Sequence, residues 1–276
     1  MKKSSQRARM YRRFSAAASW LPQKPLAFLR ALWLGLLDAE TLNQVTHAGY
    51  ENQGQDGFAS VDFNSQGFWP WELASVQTYF AGCRHVLVAG AGGGREAIAL
   101  ARLGFDVTAF DFCSELTAAC RRNLALLGLA AHVHDAPADR IPDGLPVFDG
   151  ILVGRGFYHH IPGRRQRVAF LEQCRAHLQA DAPLVLSDFF ARPDQSAGYQ
   201  RTRAIANGIR WLRGCSERVE LGDWLSDSMQ HAFVQSEIDS ELTAAGFTPV
   251  AYAASPVSEG SALAHAAARS TARLPN

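Results

Sequence analysis

The sequence predicts a doubly wound α/β fold built on a seven-stranded, mostly parallel sheet, and two observations carry that prediction. From Arg84 onward, short apolar runs alternate with longer helix-like stretches. This is the pattern of repeated strand–helix units whose sheet is covered on both faces. The first of these strands, His85–Val88, also runs into a turn with four glycines among the five residues Gly90–Gly94, followed by an alanine-rich helix. A strand, a glycine turn and a helix N-terminus in that order make a site for a polar ligand.

The chain opens with Lys2, Lys3, Arg7, Arg9, Arg12 and Arg13 before the apolar stretch Ala16–Leu21, an outline shared with export signals. Pro22, Gln23, Lys24 and Pro25 cut that stretch and no cleavage site follows, so it reads as a basic tail before an amphipathic helix over Pro25–Asp38. The apolar part of that helix contains Arg30 and is too short to span a bilayer. Residues 1–79 are expected to form a basic tail and helical cap that includes the aromatic cluster Gly67–Glu72. Residues 80–276 are expected to form the α/β domain.

Within that domain the strands are placed at His85–Val88, Asp106–Phe110, Ala131–His134, Gly150–Val153, Pro183–Leu186, Phe247–Ala253 and Ala262–Ala267. The helices fall at Arg95–Leu103, Ser114–Leu127, Arg164–Leu178 and Gln235–Ala245, with Gly104 and Gly246 as stop signals. Residues 191–234 separate a strand from a helix where a few residues suffice. They read as an insert walling the substrate side.

Bulk composition narrows the function. The chain is 47% hydrophobic and 19% charged, ordinary for a globular protein, and its net charge of +1 gives no bulk case for nucleic acid or an anionic membrane. Five scattered cysteines with no Cys-x-x-Cys pair fit reduced thiols and a cytoplasmic location. A small molecule is the expected partner. These features do not address oligomeric state.

The glycine turn selects its ligand by spacing. A nicotinamide cofactor calls for Gly-x-Gly-x-x-Gly, and Arg95 stands at the third glycine position. Gly-x-Gly-x-Gly fits at Gly90, Gly92 and Gly94, with Ala91 between the first two. Asp111 ends the second strand 21 residues after Gly90, where a carboxylate accepts two hydrogen bonds from a ribose diol. At the end of the third strand Asp135 is placed to accept from an adenine amino group, with the Ala136 N–H facing the ring.

In these segments the chain resembles the class I S-adenosylmethionine-dependent methyltransferases. "VAGAGGG" matches their first motif, "AFD" the acidic end of strand two, "HDAPA" the adenine segment, and "FDGILVGRGFYHHI" strand four with its loop. "SEIDSELTAAGFTPVAYA" matches the helix, turn and strand that precede the family's antiparallel final strand. The resemblance spans about residues 80–270. It implies an antiparallel last strand, S-adenosylmethionine as cofactor, and contacts to it from Gly90, Ala91, Gly92, Gly94, Asp111, Phe112, Asp135, Ala136 and Gly154. One departure is Val88, where the family often has an acid. Glu72 is the candidate to replace it.

Methyl transfer is an in-line displacement that needs the acceptor close to the methyl group and water excluded. The loop after the fourth strand holds Arg155, Tyr158, His159 and His160, and a hydroxyl acceptor needs a base for which histidine suits neutral pH. Adjacent side chains seldom point the same way, so one histidine is expected in the site and the other in a supporting role. An ordinary imidazole there predicts loss of rate below a pKa of about 6–7. Tyr50, Trp69, Arg155, Asp223 and His231 are the expected substrate contacts, with Glu220 beside them and Trp224 and Phe233 as walls. Tyr50, Phe68, Trp69 and Trp71 are placed to close over the cofactor, and Asp188, Glu220, Asp223 or His231 is the next candidate for the base.

No metal is expected. "HVHD" at His132–Asp135 lacks the second half of a metal-hydrolase motif, and Gly154 stands where a catechol-type magnesium site needs an acid. The reading is methyl transfer to an oxygen or nitrogen of a small molecule in biosynthetic or secondary metabolism. Two alternatives are a non-catalytic S-adenosylmethionine-binding partner, favoured by Val88, and an NAD-dependent oxidoreductase, weakened by Arg95 and the C-terminal pattern.

Overall fold

The computed structural model describes residues 5–51, 57–137, 139–193, 196–258 and 261–271. Five helices come first: α1 (Gln6–Ala17), α2 (Gln23–Leu36), α3 (Ala39–Glu51), α4 (Val61–Ser65) and α5 (Pro70–Tyr79). Helix α1 corrects the expectation of a basic tail, since from Gln6 the chain is helical. Its N-cap Ser5 accepts from the Ala8 N–H, and Ala8, Tyr11 and Ser15 are buried at helical spacing while its arginines face outward.

The remainder is β1 (His85–Ala89), α6 (Arg95–Arg102), β2 (Asp106–Asp111), α7 (Ser114–Leu126), β3 (His132–Asp135), β4 (Gly150–Val153), α8 (Arg164–Ala176), β5 (Pro183–Ala191), α9 (Ala197–Leu212), β6 (Asp223–Leu225), β7 (Met229–His231), α10 (Gln235–Ala244), β8 (Phe247–Ser258) and β9 (Ser261–Ser270). A single 3-10 turn, Tyr158–His160, follows β4. The main sheet has the order β3-β2-β1-β4-β5-β9-β8, and β9 runs antiparallel to both β5 and β8. The expected seven strands and antiparallel last strand are therefore present. The strand order reverses between β1 and β4, and a ligand crevice opens at such a switch point, outside the carboxyl ends of the strands.

Alternation along the central strands divides the core into two layers. Leu87, Ala89, Ile151, Val153, Leu184 and Leu186 face one layer, and Val86, Val88, Leu152 and Val185 the other. Strand β5 runs five residues past its predicted end. A register shift between Leu186 and Phe189, with Asp188 at φ 48°, lets it keep pairing with β9 as far as Ala191. The region 191–234 holds α9 and a two-stranded hairpin, β6–β7. It packs against the first helices around Tyr11, Leu34, Leu37, Ala206, Leu225 and Met229. No helix among the described residues is long and apolar enough to cross a membrane.

Helices α8 and α10 are joined by a buried ion pair. The Arg167 guanidinium donates to Glu241 at 2.6 Å, each side chain is 1% exposed, and the Tyr158 hydroxyl donates to the same carboxylate at 2.6 Å. Removing Arg167 strands the Glu241 charge in the core, and removing Glu241 leaves the buried Arg167 with only the partly exposed Glu220. Glu241→Gln is expected to cost about 3–5 kcal/mol, read as a lower urea midpoint with unchanged slope. The paired change Arg167→Met with Glu241→Leu should recover most of that loss.

Candidate active site

The glycine turn lies between β1 and the N-terminus of α6. Gly90, Gly92 and Gly94 have φ of 76°, 53° and 108°, left-handed values that penalise any residue with a Cβ. Gly93 is required for another reason: a Cβ there would lie 2.0 Å from the Phe58 carbonyl oxygen. Above Gly92 no atom would come within 4 Å of a Cβ, so its exposed side is open. The Gly90 and Ala91 N–H groups both donate to the Phe110 carbonyl at 2.9 Å, pinning the turn to β2.

Over this turn sits a cavity of about 590 Å³, its open mouth included. Gly90–Gly93 and Asp111 line its floor, and Phe112, Leu116 and Phe157 one wall. Tyr50, Phe58, Phe63 and Asn64 reach in from the N-terminal helices, while Arg95, Glu96, Arg155 and Gly156 form a polar end beside His160. The mixed lining, apolar walls with a few convergent polar groups, suits a nucleoside-like ligand.

Asp111 is 4% exposed, accepting from the Gly92 N–H through Oδ2 and from the Cys113 N–H through Oδ1, both at 2.9 Å. Burial pushes its carboxyl up to about 6, against the pull of those N–H groups. Each oxygen keeps a lone pair for a diol.

The polar end rests on a buried network. Arg95 donates to both oxygens of Glu72, at 2.5 and 2.7 Å, and to Glu96 Oε1 at 2.7 Å. Ser187 donates to Glu72 at 2.8 Å, and the Arg155 N–H donates to Glu96 at 3.1 Å. The guanidinium groups of Arg95 and Arg155 lie 5.0 and 4.5 Å from the centre of the Trp69 ring, and Arg155 Nε is 3.2 Å from buried Asp188.

The two histidines point to different surroundings. His160 lines the cavity, with Nδ1 2.6 Å from the Met229 carbonyl and Nε2 2.8 Å from the Tyr50 hydroxyl. A carbonyl only accepts, so Nδ1 carries the proton and Nε2 presents a lone pair to the Tyr50 O–H. Burial lowers the His160 pKa to about 4, opposed in part by the Met229 carbonyl. This corrects the expectation of an ordinary imidazole. His159 turns away, tilted against Phe190 at 4.7 Å, and is not among the cavity-lining residues.

Of the residues named from sequence, Gly90, Ala91, Gly92, Asp111, Phe112, Tyr50, Arg155 and His160 meet at this cavity. Others lie elsewhere. Gly94 is the N-cap of α6, beneath the turn against Cys120. Asp135 points outward to Thr117 and Arg121, and the Ala136 N–H, expected to face an adenine, donates instead to the Asp111 carbonyl at 2.9 Å. Gly154 packs under Gly90, where a Cβ would sit 2.6 Å from the Gly90 oxygen.

Tyr158, placed in the catalytic loop, is buried on Glu241, which with burial holds its phenol well above the usual range. Trp69 supports the two arginines rather than lining the cavity, and Trp71 stacks on His265 at 4.5 Å. Glu72 and Glu96 both hold Arg95, and of the two only Glu96 lines the cavity. Phe58, Phe63, Asn64 and Leu116 were not singled out from sequence. The one signal for the two phenylalanines is the spacing of aromatics between Tyr50 and Phe68, and Asn64 and Leu116 have none.

Asp223 and His231 form a buried pair at 2.6 Å, away from the cavity. Burial and Arg167 push the His231 pKa down, but Asp223 and Glu237 outweigh them and raise it. With Glu220 these two residues bring three ligand-type atoms within 4.8 Å of one another. The donors are already engaged, since Arg167 holds Glu220 at 2.7 Å and Asp223 holds Nδ1.

Residues 86–181, from β1 to the turn before β5, match the family model described as a methyltransferase domain. No curated protein matches the chain in sequence. Among solved structures, a 1,6-didemethyltoxoflavin-N1-methyltransferase of Burkholderia thailandensis is similar at a TM-score of 0.61 and 20% identity, over 86% of this chain and 92% of that one. A SAM-dependent methyltransferase of Methanosarcina mazei gives a TM-score of 0.60 at 18% identity, over 74% of this chain and 99% of that one. The CcbJ methyltransferase of Streptomyces caelestis gives 0.55 at 15% identity, over 83% and 99%. At these identities the structures speak for the fold. The chain thus carries methyltransferase-domain sequence from β1 to the turn before β5, inside a fold similar to that of these methyltransferase structures.

Proposed function

We propose that the protein transfers a methyl group from S-adenosylmethionine to an oxygen or nitrogen of a small molecule, with the cofactor across Gly90–Gly93 and its ribose on Asp111. The observation that carries this reading is the shared cavity: the bare glycine turn, a buried carboxylate and the lone pair of His160 Nε2 line one space. Arg155 and Glu96 at the polar end suit the carboxylate and ammonium of the methionine tail. Two neighbours support the small-molecule reading: one holds 1,6-didemethyltoxoflavin with S-adenosylhomocysteine, and another concerns a thioacetal formed in echinomycin biosynthesis. All five cysteines are unpaired, which agrees with a cytoplasmic location.

An imidazole with a pKa of about 4 is a weak base and a good hydrogen-bond acceptor. It suits an acceptor that arrives neutral, or one that gives up its proton readily, better than an aliphatic alcohol. Tyr50 occupies Nε2 in the free protein, and an acceptor O–H or N–H would take its place or bridge to it.

The first test is calorimetry with S-adenosylmethionine, S-adenosylhomocysteine and NAD. Micromolar binding of the first two and none of NAD is expected, whereas NAD binding alone would overturn the reading. Asp111→Ala should weaken cofactor binding about 30- to 1,000-fold with the fold intact by circular dichroism. In the family of acceptors that reacts, His160→Ala should lower kcat by about 10²-fold or more with cofactor affinity unchanged, and His159→Ala should affect stability only.

The two cavity groups also separate by pH. The Asp111 carboxyl must be ionised to accept from a diol, so cofactor affinity should fall as pH drops through about 6. His160 should stay neutral until about pH 4, so kcat at saturating cofactor should hold across that range and fall only below it. Parallel loss of both quantities near pH 6 would remove His160 from this role.

A further inference from the structure

The net charge of +1 hides a strong asymmetry. Residues 5–37 carry six lysines and arginines and no acid, and residues 196–216 carry four arginines and no acid, so the rest of the chain is net −9. The fold brings these two stretches together. Helix α2 packs on α9 closely enough that a Cβ on Gly35 would come within 2.6 Å of the Ala206 oxygen. Trp33 of α2 also meets Tyr11 and Phe14 of α1 at 5.7 and 5.8 Å. Helices α1, α2 and α9 each bury one side in one small core and turn the other side to solvent.

That layer is both cationic and apolar. Of the ten large hydrophobic residues exposed among the described residues, six lie on these helices or the turn after α1, among them Trp20 at 79%, Phe28 at 51%, Trp211 at 70% and Leu212 at 73%. Arg12, Arg13, Lys24, Arg201 and Arg203 are exposed among them. Along α2, Lys24, Phe28, Leu32 and Leu36 follow one another at intervals of four, a single stripe on a helix face. Cations interleaved with tryptophan, phenylalanine and leucine are the composition of helices that lie in a bilayer interface.

We propose that the α1–α2–α9 layer docks the protein on the surface of an anionic bilayer, its cations on lipid phosphates and Trp20, Phe28, Trp211 and Leu212 at the acyl boundary. A second copy of the chain fits this face poorly, because a two-fold contact sets the same exposed cations against one another. A nucleic acid would use the arginines and leave the exposed rings and Leu212 in water. The contact is peripheral, since no described helix can span the bilayer. The proposal stands apart from the methylation reading and is tested by binding alone.

The experiment is flotation of the full chain with vesicles of phosphatidylcholine, or of phosphatidylcholine with about a third phosphatidylglycerol, at about 0.1 M and 0.5 M salt. Binding to the anionic vesicles is expected at low salt, at least about tenfold tighter than to the neutral ones and weakened by high salt. Trp211→Ser with Leu212→Ser should cut that binding about tenfold or more, and Arg12→Glu with Arg13→Glu by a similar factor, with circular dichroism unchanged. Equal binding to both vesicle types, or no binding to either, would overturn the proposal. So would anionic binding that survives loss of Trp211 and Leu212, since cations alone would then explain it. A dimer in solution that shields Trp211 from acrylamide quenching would assign the face to a second copy instead.

Discussion

A guanidinium buried beside the glycine turn holds the site in register. The Arg95 side chain is 4% exposed and cannot be left without partners in the interior. Its partners come from separate parts of the chain: Glu72 at the start of α5, the neighbouring Glu96 of α6, and the Gly67 carbonyl. Glu72 in turn holds Ser187 on β5, and Glu96 holds the backbone after β4. One cation therefore sets the distances among the N-terminal helices, the helix that receives the turn, and the ends of two strands at the switch point.

The same arrangement accounts for the missing acid of the first motif. Val88 faces the core layer lined by Val86 and Leu152, where a carboxylate would have no partner. The acid that lines the cavity is instead Glu96, held by the Arg95 guanidinium at 2.7 Å. A third glycine in place of Arg95 would remove the centre of the network, so this position cannot also serve a nicotinamide-type turn.

Much of this was legible in the sequence. Strand–helix alternation located every strand of the main sheet, because strands covered on both faces read as unbroken apolar runs. The glycine spacing and Asp111 located the cavity floor, because such backbone requirements are written in residue type. Side-chain direction was not legible. Asp135, Tyr158 and His159 stand at the right end of the sheet but point to Thr117, Glu241 and Phe190. Asp223 and His231 pair with each other across a hairpin turned at Ser226–Ser228, a pairing that residue type alone does not give. Residue type marks the end of the sheet, and only packing decides which rotamer faces the ligand.

The bond between His160 Nδ1 and the Met229 carbonyl has a consequence for how such an enzyme can change. The residue that fixes the ring's tautomer belongs to the hairpin of the insert, and the adjoining backbone N–H of Met229 is held by Thr46 of α3. Recruiting a new acceptor by exchanging the insert would therefore reset the imidazole along with the pocket wall. Specificity and reactivity are inherited together here, and a graft that keeps the ring's orientation must carry Met229 and its support from α3 as one cassette.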